Sequence, residues 1–251
     1  MIPGLYSAAT AMDAASARHE ASAENLAHSH LPGFRRRIVQ QSTFSTLLEG
    51  RQDADRFAER LGTRLGDGPV PGNELKIDFT HGFMKQTGRN LDVAIEGDSF
   101  FAVDGPDGPL YTRNGSFRAT PDGNLVTVDG LTVRGRSGTI SIPPNTPSEA
   151  ISVAPDGRLL VDGVEFGQLE TVTFEDQSRL VTKGASLFHA PAGLEPEQSD
   201  ETMVSGFVES ANVAHMDELV NILVASRQYE AAQKALKTLD ESLNKHINGG
   251  R

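Results

Sequence analysis

The sequence predicts an α+β fold: N- and C-terminal coiled-coil-like helices packed together, with an inserted all-β module of short antiparallel strands. Two observations predict it. At both ends, apolar residues recur every seventh position with small residues three places later, which draws a narrow stripe along a helix. Between them, short apolar runs alternate with Asp-Gly and Asn-Gly pairs, the punctuation of tight hairpins. The expected division is a helical segment at 1–48, a linker at 49–75, a β domain at 76–205 and a second helical segment at 206–251.

Taken in order, Pro3 and Gly4 open the first helix, and proline suits a helix start. Leu5, Met12, His19 and Leu26 are spaced by seven, with Ala8, Ala15 and Ser22 following three later. Alanine is abundant here, which favours helix and lets backbones approach closely. Pro32-Gly33 ends the helix. An amphipathic piece follows through Phe44, Leu47 and Leu48. The polar, then Gly/Pro-rich, stretch to residue 75 reads as linker with one short helix around Asp53 to Leu61. Strands are expected at 91–95, 100–103, 110–112, 125–128, 139–142, 151–153, 159–161 and 169–174. They are set off by Asp104-Gly105, Asp107-Gly108, Asn114-Gly115, Asp122-Gly123, Asp129-Gly130, Asp156-Gly157 and Asp162-Gly163. A weak repeat stands out: Pro121-Asp122-Gly123 to Asp129-Gly130 resembles Pro155-Asp156-Gly157 to Asp162-Gly163.

Phe207, Val208, Val213 and an Asn212 cap lead into the last helix, expected from Met216 to Ile247. Ile222, Tyr229, Leu236 and Leu243 recur by seven, with Ala225, Ala232 and Leu239 three later. At 1.5 Å per residue this helix is roughly 48 Å long. So narrow a seam needs a partner helix, and periodicity leaves open whether the same chain or another supplies it.

Composition removes several function classes. A net charge of -11 with only Arg35-Arg36-Arg37 as a basic cluster argues against nucleic acid. Cysteine is absent, which removes disulfides and thiolate metal sites. No apolar run is long enough to span a bilayer, so no membrane insertion is expected. No conventional signal peptide is evident, so export, if it occurs, needs another route. His28 and His30, two residues apart, cannot share a helical face, and no metal is expected. The Asp-Gly pairs lack EF-hand spacing and read as turns. No nucleophile, phosphate-loop or dinucleotide motif is present, and neither catalytic residues nor a cofactor are expected. A soluble extracellular adhesin-like β module, or a hydrolase with helical termini, is the alternative. The absence of Trp and scarcity of Tyr disfavour an aromatic binding platform.

Three stretches carry a resemblance. The first is Gly4-Leu5-Tyr6, Ala8, Asn25-Leu26-Ala27 and Pro32-Gly33-Phe34, with His28 and His30 where asparagines are usual. The second runs from Thr87-Gly88-Arg89-Asn90-Leu91-Asp92 through Glu96-Gly97 and Phe100-Phe101 to Tyr111-Thr112-Arg113-Asn114-Gly115-Ser116-Phe117. The third is Glu209-Ser210-Ala211-Asn212-Val213, Glu218-Leu219-Val220, Arg227-Gln228-Tyr229-Glu230, Lys234 and Asp240. Together they make the chain resemble the bacterial flagellar basal-body rod and hook proteins. At this length it looks more like a rod member than a hook protein.

The resemblance implies a non-catalytic shaft subunit of the basal body, stacked helically on copies of itself and on other axial proteins. Its terminal helices would lie in the inner wall and its β module outside. It would leave the cytosol through the flagellar export apparatus, without a cleaved signal peptide. The expected assembly interface combines the seam positions Leu5, Met12, Leu26, Ile222, Tyr229, Leu236, Leu239 and Leu243 with the motif positions Asn25, Pro32, Gly33, Phe34, Asn212, Val213 and Leu219.

Overall fold

The computed structural model describes residues 2–41 and 73–248, with backbone only at 2, 3, 5, 6, 41, 73 and 243–248. The expected amphipathic piece at 42–48 and the short helix at 53–61 lie outside the described residues. The chain forms two compact units. One comprises residues 1–26, 37–77 and 215–251; the other comprises 27–36 and 78–214.

In the first unit, helix α1 (Ile2–His28) is followed by strand β1 (Arg37–Gln41), strand β2 (Asn73–Ile77) and, at the far end of the chain, helix α2 (His215–Asn248). β1 and β2 pair antiparallel, Arg37 opposite Ile77 and Gln41 opposite Asn73. Residues 73–75, which read as linker in sequence, are therefore strand. The two helices touch at two levels. Gly4 faces the Leu239 methyls, and Arg18 Nη1 donates to Gln228 Oε1 at 3.1 Å, so the helices run antiparallel. On α1 the small residues are the buried ones: Ala8, Ala14, Ala15, Ala21 and Ser22. On α2 they are Ala225 and Ala232, with Glu218 buried as well. His19, a heptad position, faces water. No helix among the described residues is long and apolar enough to cross a membrane.

The second unit is mostly β. Its strands are β3 (Met84–Gln86), β4 (Val93–Glu96), β5 (Phe100–Gly105), β6 (Gly108–Thr112), β7 (Phe117–Ala119), β8 (Leu125–Thr127), β9 (Thr132–Gly135) and β10 (Gly138–Thr139). They continue with β11 (Ile151–Val153), β12 (Arg158–Val161), β13 (Val164–Gln168), β14 (Thr171–Thr173), β15 (Val181–Thr182) and β16 (Leu187–His189). β17 (Glu197–Gln198), β18 (Thr202–Ser205) and β19 (Phe207–Glu209) complete them. A curled antiparallel sheet runs β15-β16-β6-β5-β9-β8-β7, with β14 also on β5. β11-β12-β13, β4-β18 and β3-β19 pair separately.

β5 explains why 100–103 is a solid apolar run rather than an alternation: it is buried on both faces. Phe101 and Val103 enter the main core with Leu91, Val93, Ile95, Phe117, Leu125 and Ile151. Phe100 points the other way, its ring 5.7 to 6.0 Å from those of Phe79, Phe174 and Phe188.

The repeat is real in three dimensions. β8 and β12 each lie between two glycine turns of positive φ, at Gly123 and Gly130 and at Gly157 and Gly163. Gly123 N donates to Thr120 O as Gly157 N does to Ala154 O, and Thr120 N to Asn124 O as Ala154 N does to Arg158 O. Two of the expected turns differ. Gly105 and Gly115 do not take positive φ. Gly115 instead allows a close approach: a Cβ there would stand 1.7 Å from Val93 O. The expected strand at 139–142 is only β10 plus a bridge at Ser141, and that at 169–174 narrows to β14.

Candidate functional site

The three motif stretches, far apart in sequence, meet in the second unit. Gly33 N donates to Glu209 O at 2.8 Å. Phe34, fully buried, packs on Ala211 and Val213 with Leu31 alongside. Arg35 Nη1 donates to Glu209 Oε1 and to Thr80 O, both at 2.7 Å. Arg113 Nε lies 3.5 Å from Glu209 Oε2, and its Nη2 reaches Gly97 O and, at 3.0 Å, His81 Nδ1. Gly82 N gives Glu209 Oε1 a further bond at 2.8 Å. Arg35, Arg113 and Glu209 are all buried.

One carboxylate therefore holds two guanidinium groups out of water. Burial lowers the Arg113 pKa to about 10 against the pull of Glu209. That still leaves it cationic at neutral pH. His81 Nε2, in turn, meets Asp98 Oδ1 at 3.0 Å. The cluster is a buried ionic joint between distant segments, in which Arg35 Nε, Arg113 Nε and Arg113 Nη1 remain without a hydrogen-bond partner. Among the described residues, no group of three His, Asp or Glu could hold a metal.

Two asparagines act as clamps. In the first unit, Asn25 Oδ1 accepts from Arg37 N at 2.8 Å and Asn25 Nδ2 donates to Arg37 O at 2.9 Å, which pins β1 to α1. Asn25→Ala is expected to cost about 1–3 kcal/mol, because both Arg37 backbone groups lose their partner. Faster hydrogen exchange at 37–41 alone would register it; unchanged exchange there would count against the clamp. In the second unit, Asn212 Oδ1 accepts from Arg36 N at 2.7 Å and Nδ2 donates to Asp78 O and Thr80 O. This corrects the expectation of an Asn212 helix cap. α2 begins only at His215, so Asn212 lies too far upstream to cap it and ties loops together instead.

The other expected interface residues fall into four groups. Gly33, Phe34 and Val213 are interior, with Pro32 half-buried beside them. Met12, Leu26, Ile222, Leu236 and Leu239 are half-buried, and Tyr229 is 39% exposed. Leu5 and Leu243 lie on helical backbone. Leu219 belongs to a set that the heptad reading missed. Met216, Leu219, Val220, Leu223 and Val224 are exposed, from 45% at Val224 to 72% at Met216. At about 100° per residue they lie on the side of α2 opposite Ala225, Ala232 and Leu236. The signal was present as apolar residues at 216, 220 and 223, a second helical spacing. Arg35, Arg113 and Glu209 left no such trace, since lone charges in a sequence read as surface.

The family described as the flagellar hook protein FlgE/F/G D1 domain matches residues 94–161. That of the flagellar basal body rod FlgEFG protein C-terminal matches 204–249. The chain is 32% identical to the flagellar basal-body rod protein FlgG of Buchnera aphidicola (subsp. Acyrthosiphon pisum), over 98% of each chain. It is 31% identical to the FlgG of Bacillus subtilis over 99% of each. The flagellar basal-body rod protein FlgF of Rhizobium meliloti is 28% identical over 98% of this chain and 97% of its own.

Proposed function

The chain belongs to the flagellar basal-body rod protein family and is a structural component of the rod, not an enzyme; from that premise we propose that it assembles helically with copies of itself through α2. One observation carries the proposal. α2 has two apolar sides, and the described residues cover only one of them. The Ala225 and Ala232 side is buried within the first unit, while Leu219, Val220, Leu223 and Val224 remain in water. An open helical assembly needs heterologous contacts between different patches, repeated without closure. An uncovered helix face beside a buried one supplies one of the two halves. Neighbouring axial proteins in the flagellum would dock by the same face. The expected interface residues then act in two ways: seam residues hold the helix pair, and the interior set around Phe34 keeps the connecting segments in place. Passage through the flagellar export apparatus completes the reading, with the assembled rod spanning the periplasm.

Leu219→Glu with Leu223→Glu tests it. Both side chains are about half exposed, so the fold is expected to survive with a change of under about 0.5 kcal/mol. Charge on a face that must be desolvated in the assembly is expected to abolish incorporation into isolated basal bodies, and motility with it. Normal incorporation of the doubly substituted chain would overturn the proposal.

A further inference from the structure

Arg89 and Arg118 face a cleft of about 340 Å³ at the start of β4, with Asn90, Ser148 and Glu149 beside them. Its floor is fixed: Arg89 Nη2 donates to Phe117 O at 3.3 Å, and Asn90 Nδ2 to Glu149 O at 3.1 Å. Arg89 also lies 3.6 Å from Asp92. Arg118 is exposed and, among the described residues, has no hydrogen-bond or ion-pair partner. Two guanidinium groups against one lining carboxylate stand out in a chain with 34 acidic and 23 basic residues.

The other end of β4 has the opposite character. Glu96 is exposed and sits opposite Thr202 of β18. The chain leading into Thr202 carries Glu195, Glu197, Asp200 and Glu201. Glu201 is used up on the Asp98 and Ser99 amides, and Asp200 on Arg136. Glu96, Glu195 and Glu197 are exposed and, among the described residues, unpaired. The four residues of β4, which separate the two ends, span roughly 13 Å. The two ends of the β4 segment are thus opposite in sign, basic at Arg89 and Arg118 and acidic at Glu96.

We propose that the Arg89–Arg118 cleft receives the Glu96 and Glu197 carboxylates of a second copy of this chain, a head-to-tail contact between β units. The inference rests on the self-association reading above. Two ends of opposite sign on one rigid body favour stacking in a single polarity and disfavour head-to-head encounters, where like charges meet. They also supply the two distinct patches that an open assembly requires. Contacts of this kind are screened by salt, so the contribution falls as ionic strength rises.

Charge reversal tests it in the full-length chain, by sedimentation velocity over a range of protein concentrations. Arg118→Glu alone, and Glu96→Lys with Glu197→Lys, are each expected to weaken self-association at least tenfold. The triple variant restores opposite signs and is expected to return within about threefold of the unchanged chain. Unaltered thermal melts exclude misfolding. A triple variant no better than its parents, or an Arg118→Glu chain that associates normally, overturns the inference. If Arg118→Glu associates normally while Leu219→Glu/Leu223→Glu does not, only the cleft contact falls. If neither substitution matters, or the unchanged chain never self-associates, both readings fall.

Discussion

Glu209→Gln is expected to remove about 3–5 kcal/mol from the stability of the β unit. The carboxylate is the counter-charge for two buried cations, Arg35 at 2.7 Å and Arg113 at 3.5 Å. An amide of the same shape keeps one acceptor and cancels no charge, so both guanidinium groups are left buried and uncompensated. Hydrogen exchange at the β5 and β6 amides isolates the effect from the helical unit. A change under 1 kcal/mol would show that water reaches the cluster and that its burial is nominal. Replacing all three with apolar residues of similar size is expected to recover only part of the loss. Gly82 N and Gly97 O would still lack partners. The pH dependence has a definite sign. Burial depresses the folded-state Arg113 pKa to about 10, well below its ordinary value, so its charged form is the costly one. Arg113's own contribution to stability therefore rises with pH above about 10 and is flat below, which leaves the ion cluster intact at neutral pH.

Gly33→Ala is expected to cost about 2–4 kcal/mol, and for a different reason. Gly33 has a φ of 70°, in the left-handed region. An added Cβ would stand 2.4 Å from both Arg113 C and Asn114 N, which are backbone atoms and cannot rotate away. Separating the two strands of chain would also stretch the Gly33 N to Glu209 O bond and lift Phe34 off Ala211 and Val213. A lower midpoint in urea with unchanged slope is the expected signature. A wild-type midpoint would mean that the 31–36 segment is not seated against Arg113 at all. The residue therefore belongs to the rod chain's internal joint, and its effect on assembly follows from that joint.

What could be read without coordinates follows the rules that govern it. α2 was expected at 216–247 and spans His215–Asn248, because an unbroken periodic pattern bounded by glycine has few alternatives. The paired hairpins around β8 and β12 were legible for the same reason: Asp-Gly at fixed offsets specifies its own backbone. β3, β17 and β19 were not, since strands of two or three residues carry too few side chains to show a period. β1 and β2 were hidden by distance, with 31 residues between Gln41 and Asn73. The Asn212 error was of another kind. An asparagine before a helix satisfies the local capping rule, but Arg36 N and the Asp78 and Thr80 carbonyls offered it more bonds.

From its residues alone, this chain was already a pair of heptad-marked terminal helices around a strand-rich middle, with motifs of the flagellar rod family at both ends and between. Those properties are local: spacing, turn chemistry and short words that need no partner to be read. Which side of α2 stays in water, and which lone charges close on Glu209, depended on contacts between segments about a hundred residues apart or more. Such contacts are set by which surfaces fit once the chain has folded, and no period or propensity within one segment encodes them.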